Sequence, residues 1–274
     1  MNNSCAVIYL ERWCNPHYFT RTFLSSMARF DAGAPHDYIH IQKGFEERAP
    51  SIPIAEHMQK TGRTAHIFYV PDDRPALSVM ADVARELPHE KIILFMSWSR
   101  ILAPDWLRHY LNAFDAVSDC GIVGATSGYE RRNLKDPSEP FPNVGIRSTA
   151  FMVDRRMFLD AAGEHIRERK DENDFESGPN GLTKQIMRKG LKPVVVDKWG
   201  KVWHVEDWPR SKTFRSGFQE GLLVADNRTY QYDVIKNKKR RWLAEINWGD
   251  QADVPWASPL RRLKAYINWH YLGR

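Results

Sequence analysis

The chain has 274 residues, 42% of them hydrophobic and 27% charged, with a formal net charge of +6. That length supports one large α/β domain with an extension, or two small domains. Positive charge gathers at Lys236, Lys238, Lys239, Arg240 and Arg241, while acids and bases mix elsewhere, which excludes a whole-protein nucleic-acid field.

Cys5 to Leu10 reads as a strand buried on both faces, with Glu11-Arg12-Trp13 at its carboxyl end. Asn15-Pro16 is a cap-and-first-turn signal for a helix carrying Phe19, Phe23, Met27 and Phe30 on one side. Asp37 to Gln42 is a second strand, ended by Lys43-Gly44-Phe45. A turn around Pro50 and Pro53 precedes a short helix over 56–60, and 64–70 is a third strand ending in Pro71-Asp72-Asp73. A helix from Pro75 turns Leu77, Met80, Val83 or Ala84, and Leu87 inward. Ile92 to Met96 is a fourth strand, stopped by Ser97-Trp98-Ser99-Arg100. Pro104 then opens a helix with Trp106, Leu107, Tyr110, Leu111 and Phe114 on one side.

Gly121 to Ala125 is a fifth strand and 127–143 a long surface loop. Ile146 to Val153 reads as one strand and Arg155 to Ala162 as a helix ended by Gly163. The charge run from Glu164 to Asp174 reads as a solvated helix end and loop. A helix over 180–189, a strand over 191–197 and a shorter one at 202–205 complete the alternation. Strand and helix alternating at short spacing is the pattern of a mostly parallel sheet covered by helices, an α/β fold.

Cys5, Cys14 and Cys120 show no CxxC and no paired spacing, which argues against a disulfide framework and fits a reducing compartment. No apolar run approaches the roughly 18 residues of a membrane span, so the expectation is a soluble, cytoplasmic protein. GxGxxG after the first strand, GxxxxGK[ST], HExxH and GxSxG are all absent. Candidate groups therefore stand at strand ends, where open α/β sheets hold ligands: Glu11, Arg12, Asp72, Asp73, Ser97, Ser99 and Arg100. Asp174, Glu176 and His204 join them from later in the chain.

Four passages together resemble family 2-type glycosyltransferases of the GT-A fold. IILFMSWSRILAPDWL is similar to the strand carrying the DxD motif and the helix after it, and NVGIRSTAFMVDRRMFLDAAG to the stretch lining the acceptor side. DENDFESGPNGLTKQIMRKGLKPVVVD resembles the acid-containing motif with its following helix and strand. VWHVEDWPRSKTF resembles the segment whose His lies near the metal and diphosphate. The resemblance spans about residues 5–232. It implies a Rossmann-like nucleotide-diphospho-sugar transferase domain over 1–232, followed by a basic helical extension over 233–274.

It also implies a nucleotide-sugar donor, a glycan or lipid-linked acceptor, and inverting transfer. Glu176, with Asp174 second, stands as the general base that takes the acceptor proton; an exposed acid near a helix start is the bland alternative. Glu11, Arg12, Asp72, Asp73, Ser97, Ser99 and Arg100 fall at the nucleotide-sugar position. Ser97 and Ser99 replace the two Asp with which members hold Mg2+ or Mn2+, and hydroxyls substitute poorly for carboxylates there. A divalent cation is thus expected to matter weakly or not at all, with His204 as its one ligand candidate. A non-catalytic nucleotide- or glycan-binding protein of the same fold is the second reading. Arg215 reads as a solvated Arg, and neither Gln219 nor Arg241-Trp242 completes the QxxRW of processive members.

In the tail, Ser258-Pro259 starts a helix with Leu260, Leu263, Ile267 and Tyr271 on one face and Arg261, Arg262 and Lys264 on another. Such a helix suits an anionic membrane surface, at the inner membrane face, or docks on its own domain or on a second subunit.

Overall fold

The computed structural model describes residues 5–45, 54–60, 64–131, 133, 134, 136, 138–163 and 166–272. Four strands open the chain: β1 (Cys5–Arg12), β2 (Asp37–Lys43), β3 (Ala65–Val70) and β4 (Lys91–Phe95). They are joined by α1 (Tyr18–Arg29), α2 (Ile54–Lys60) and α3 (Ala76–Glu86). A two-residue β5 (Arg100–Ile101), α4 (Trp106–Ala116), β6 (Cys120–Gly124) and the short β7 (Ser127–Gly128) follow. Next come β8 (Gly145–Ile146), β9 (Ala150–Asp154), α5 (Arg155–Ala162), α6 (Arg169–Ser177), α7 (Leu182–Arg188), β10 (Lys192–Val196) and β11 (Val202–Trp203). The chain ends with β12 (Val224–Ala225), α8 (Asn227–Val234), α9 (Asn237–Trp248) and α10 (Pro259–Ile267). The turn around Pro50 and Pro53 lies outside the described residues, as does Glu164.

Eight strands form one sheet in the order β11-β10-β6-β9-β4-β1-β2-β3. β4, β1, β2 and β3 run parallel, as do β6 and β10. β9 lies antiparallel between β4 and β6, and β11 antiparallel on β10. Both faces are covered, which is why β1 reads as an unbroken apolar run. Ala6, Ile8 and Leu10 enter one core with residues of α3, α5 and α7, while Cys5, Val7 and Tyr9 enter the other with residues of α1 and α4.

Two expectations are revised. The strand expected over 146–153 is two, because Arg147 to Thr149 step out of register between β8 and β9. The charge run is not a solvated loop end, since its second half is α6, with Glu172 and Phe175 buried. Glu168 and Asp171 form a capping box that starts this helix, and the Glu172 carboxylate accepts from the Leu77 backbone N–H at 2.9 Å. Lys236 to Arg241 belong largely to α9, whose Trp248 packs edge-on to Tyr129 at 5.0 Å inside the main core.

Candidate functional site

The chain runs outward from β1 through β2 to β3, then returns to place β4 on the other side of β1. This reversal leaves the crevice beyond the carboxyl ends of β1 and β4 as the expected place for a ligand. Two clusters occupy that edge of the sheet, and a third group of candidates has been absorbed into the scaffold.

The first cluster joins the ends of β1, β2 and β3. Asp72 accepts from Arg12 Nε at 2.8 Å and from the ammonium of Lys43, which is itself 3% exposed. Burial alone would raise the Asp72 carboxyl, but hydrogen bonds from Arg12 and Lys43 outweigh it and hold the group below its ordinary value. Glu11 faces away from this trio into the sheet, accepting from His40 Nε2 and Gln42 Nε2, each at 3.0 Å. Burial opposes its ionisation and these two partners restore it, leaving its proton affinity below normal. Asp73 is exposed and pairs only loosely with Arg74, at 3.7 Å.

The Asp72 shift has a testable sign. A carboxyl whose folded pKa is depressed adds stability above its unfolded value, about 3.9, and loses it as pH falls through the folded one. Asp72→Asn is therefore expected to lower stability at neutral pH and to narrow its gap to the parent chain in strong acid. Urea titrations at a series of pH values measure both; a gap independent of pH counts against the pairing.

The second cluster lines a cleft of about 510 Å³ beyond β7, β8 and the last turns of α6. Glu130, Arg131, Arg147, Ser148, Asp174 and Glu176 line it. Glu176 is half-buried, because on its inner side it borders Leu77, Ile122, Phe151, Phe175 and Leu182. That desolvation raises its carboxyl above the ordinary value, with the Ser148 hydroxyl bond and the charge of Arg147 acting in the opposite sense. Gly178 ends α6 beneath this carboxyl; a Cβ there would lie 2.5 Å from the Asp174 carbonyl oxygen, so only glycine lets the chain turn so closely.

Arg215 is 2% exposed, which revises its reading as a solvated side chain. Its Nη1 donates to Glu130 at 3.0 Å, and Arg147 stands 3.6 Å from the same carboxylate. Burial lowers the guanidinium to about 10, still charged at neutral pH. Ser148, Arg147, Glu130 and Lys43 were not singled out from the sequence. Only Arg147-Ser148 carried a signal, being part of the acceptor-side passage.

Ser97 and Ser99 do not offer free hydroxyls to either cluster, and Arg100 turns to the C-terminal segment, with its Nε and Nη1 buried without a partner. The Ser97 hydroxyl donates to the Leu10 carbonyl at 2.7 Å, and Tyr9 donates to the Ser97 carbonyl at 3.0 Å, stitching β4 to β1. The Ser99 hydroxyl, 1% exposed, donates to the Thr149 carbonyl at 2.6 Å. Arg100 lies over the Trp269 ring at 4.1 Å and donates to its carbonyl at 2.8 Å. Its burial lowers the guanidinium to about 10. His204 is exposed at the end of β11. Among the described residues no three His, Cys, Asp or Glu side chains converge. With both serine hydroxyls spent on carbonyls, the residues at this strand end do not fit a Mg2+ or Mn2+ ion.

No protein-family model and no curated protein matches the sequence. Among solved structures, the chain is similar to a mannosyltransferase of Pyrobaculum calidifontis, PcManGT, in complex with GDP-mannose and Mn2+. That match has 12% identity, covers 100% of this chain and 71% of that one, and has a TM-score of 0.49. It is also similar to a Bacillus anthracis protein, provisionally described as a glucose-1-phosphate thymidylyltransferase, in complex with sucrose. There the identity is 9%, the coverage 73% of this chain and 88% of that one, and the TM-score 0.46. Neither similarity bears on which residues act, or on what. Among the described residues no helix is long and apolar enough to cross a membrane.

Proposed function

We propose that the protein is a glycosyltransferase that takes one sugar from a nucleotide-diphosphate donor and passes it, with inversion, to a hydroxyl of a glycan or lipid-linked acceptor. The observation that carries this reading is Glu176: a half-buried carboxyl of raised proton affinity in a cleft of about 510 Å³, at the edge of the sheet where open α/β folds hold ligands. In this reading Glu176 takes the proton of the acceptor hydroxyl as its oxygen bonds to the anomeric carbon. The bond from that carbon to the diphosphate breaks in the same step, and the diphosphate departs with the electron pair. Inversion requires the base and the leaving group on opposite sides of the sugar. The Arg12, Lys43 and Asp72 cluster is then the donor side, with Arg12 facing the diphosphate, the charge of buried Lys43 behind it, and Asp72 toward the ribose or base. Asp174 and Ser148 orient the acceptor beside Glu176. No step is assigned to a metal ion.

A second reading is favoured by Ser97 and Ser99, whose hydroxyls are bound to carbonyls where the family resemblance implies metal-holding carboxylates. On that reading the fold binds a nucleotide or glycan without turnover. Calorimetric titration with a panel of nucleoside diphosphates, with and without Mn2+, tests the donor side. Binding of one nucleoside diphosphate with an affinity unchanged by Mn2+ is the expected result. No binding of any member would remove the donor assignment.

A further inference from the structure

An amphipathic helix of a water-soluble domain turns its apolar stripe inward. In α10 the arrangement is the reverse. Ser258 caps the helix, accepting from the Arg261 N–H at 3.1 Å, and Pro259 occupies its first turn. At 100° per residue, Leu260, Leu263 and Ile267 fall within an arc of roughly 60°, and Tyr271 follows in the π-helical turn Asn268–Leu272. These four are exposed to 75%, 53%, 39% and 73%. The opposite side holds Ala265 and Trp269, and Trp269 is the buried one, stacked on Tyr230 at 4.8 Å and covering Arg100. The helix is thus fastened to the domain through Trp269 while its larger apolar face is turned outward. Trp256, the most exposed tryptophan, stands in the segment just before the helix, and exposed Tyr266 lies on the helix itself.

Charge identifies what the face meets. Lys264 borders the stripe, and from Val254 to Arg274 the chain contains no acidic residue. The start of α9 is tied to this region by two hydrogen bonds between Asn237 and Ala257, at 3.0 and 2.8 Å. Exposed Lys236, Lys238 and Lys239 therefore stand beside Trp256. Pairing the face with a second copy would set these cations against their own equivalents. An anionic surface with an apolar interior complements both features, and exposed Trp and Tyr side chains suit the boundary between them.

We infer that α10 and Trp256 form a surface that lies in the plane of an anionic lipid bilayer, with Leu260, Leu263 and Ile267 entering the acyl boundary and the lysines meeting the headgroups. The surface stands whether or not the cleft transfers a sugar. Sedimentation of the full chain with phosphatidylcholine vesicles containing phosphatidylglycerol tests it, against phosphatidylcholine alone. Binding is expected to the anionic vesicles, weakened by added salt. Each substitution in L260S/L263S/I267S removes an apolar side chain that is buried in the bound state, so partitioning should fall at least about tenfold per position. K264E should also weaken it. Because these side chains are exposed, the variants should keep the parent unfolding midpoint. Failure to sediment, or sedimentation unchanged in the triple variant, overturns the inference. So does a dimer, seen by light scattering, that the triple variant converts to monomer.

Discussion

Glu176→Gln is expected to abolish sugar transfer, by a factor on the order of a thousand, while leaving nucleoside diphosphate affinity unchanged. The amide keeps the size of the carboxylate and can still accept from Ser148, so the cleft is preserved and only the proton acceptor is lost. The pH profile separates a base from a merely structural acid. Desolvation raises the Glu176 carboxyl, so the active, deprotonated form accumulates only above the ordinary carboxylate range. Turnover should rise with pH through that raised value, and the residual rate of the variant should lack this limb. Stability should move the other way. A group whose folded pKa exceeds its unfolded one, about 4.3 for Glu, disfavours folding increasingly as pH rises from the unfolded to the folded value. At neutral pH the Gln variant should therefore be at least as stable as the parent. A residue whose removal costs activity without costing stability is a site residue. Unchanged turnover in Glu176→Gln would remove the mechanism; a comparable loss of stability would demote the carboxyl to a packing role.

How far the sequence reached differs between scaffold and site for physical reasons. Strands covered on both faces announce themselves as short apolar runs, so β1, β4, β6 and β10 were legible. The same burial hides direction: β9 is as apolar as its neighbours, and nothing in Ala150 to Asp154 marks it as antiparallel. The charge run leading into α6 misled because a helix may be charged along its length yet bury one carboxylate when that carboxylate caps another helix, as Glu172 does for α3. Glu176 was reached only through the passage that resembles a known family; its local neighbours would equally describe a solvated acid. Arg215, Glu130 and Lys43 were beyond reach, because each acquires its character from a partner more than twenty-five residues away. The strand end at Ser97 to Arg100 was placed by sheet geometry, but which way its hydroxyls point depends on the Leu10 and Thr149 carbonyls, and no sequence pattern encodes that.

The same carbonyls decide what happens if the missing carboxylates are supplied. Ser97→Asp with Ser99→Asp would write DxD into the chain, and were the serines neutral occupants of a working metal site, the change should create Mn2+ binding. The structure leads to the opposite expectation. Each hydroxyl is a donor to a carbonyl oxygen, and an ionised carboxylate has no proton to donate. The double variant would lose both hydroxyl donations and set anionic oxygens against the two carbonyls. On the far side of Thr149, moreover, the Asp226 carboxylate already accepts from the Thr149 hydroxyl at 2.5 Å. Two lost buried hydrogen bonds cost about 1–3 kcal/mol each, and burying a further charge adds several more. A loss of at least ~4 kcal/mol is a large share of a typical domain's stability, so partial unfolding at room temperature is the expected result. Ser99→Ala, which loses the donor without adding charge, should cost only about 1–3 kcal/mol. Thermal unfolding of the two variants and the parent chain with and without Mn2+ reads this directly. A folded double variant whose midpoint rises on adding Mn2+ would mean that the crevice between β1 and β4 opens for a cation, and that the serine contacts close it only in the ion's absence. A double variant destabilised alike with and without the ion would place these serines in the framework, and leave the Arg12 and Lys43 side chains as the positive charge the donor would meet.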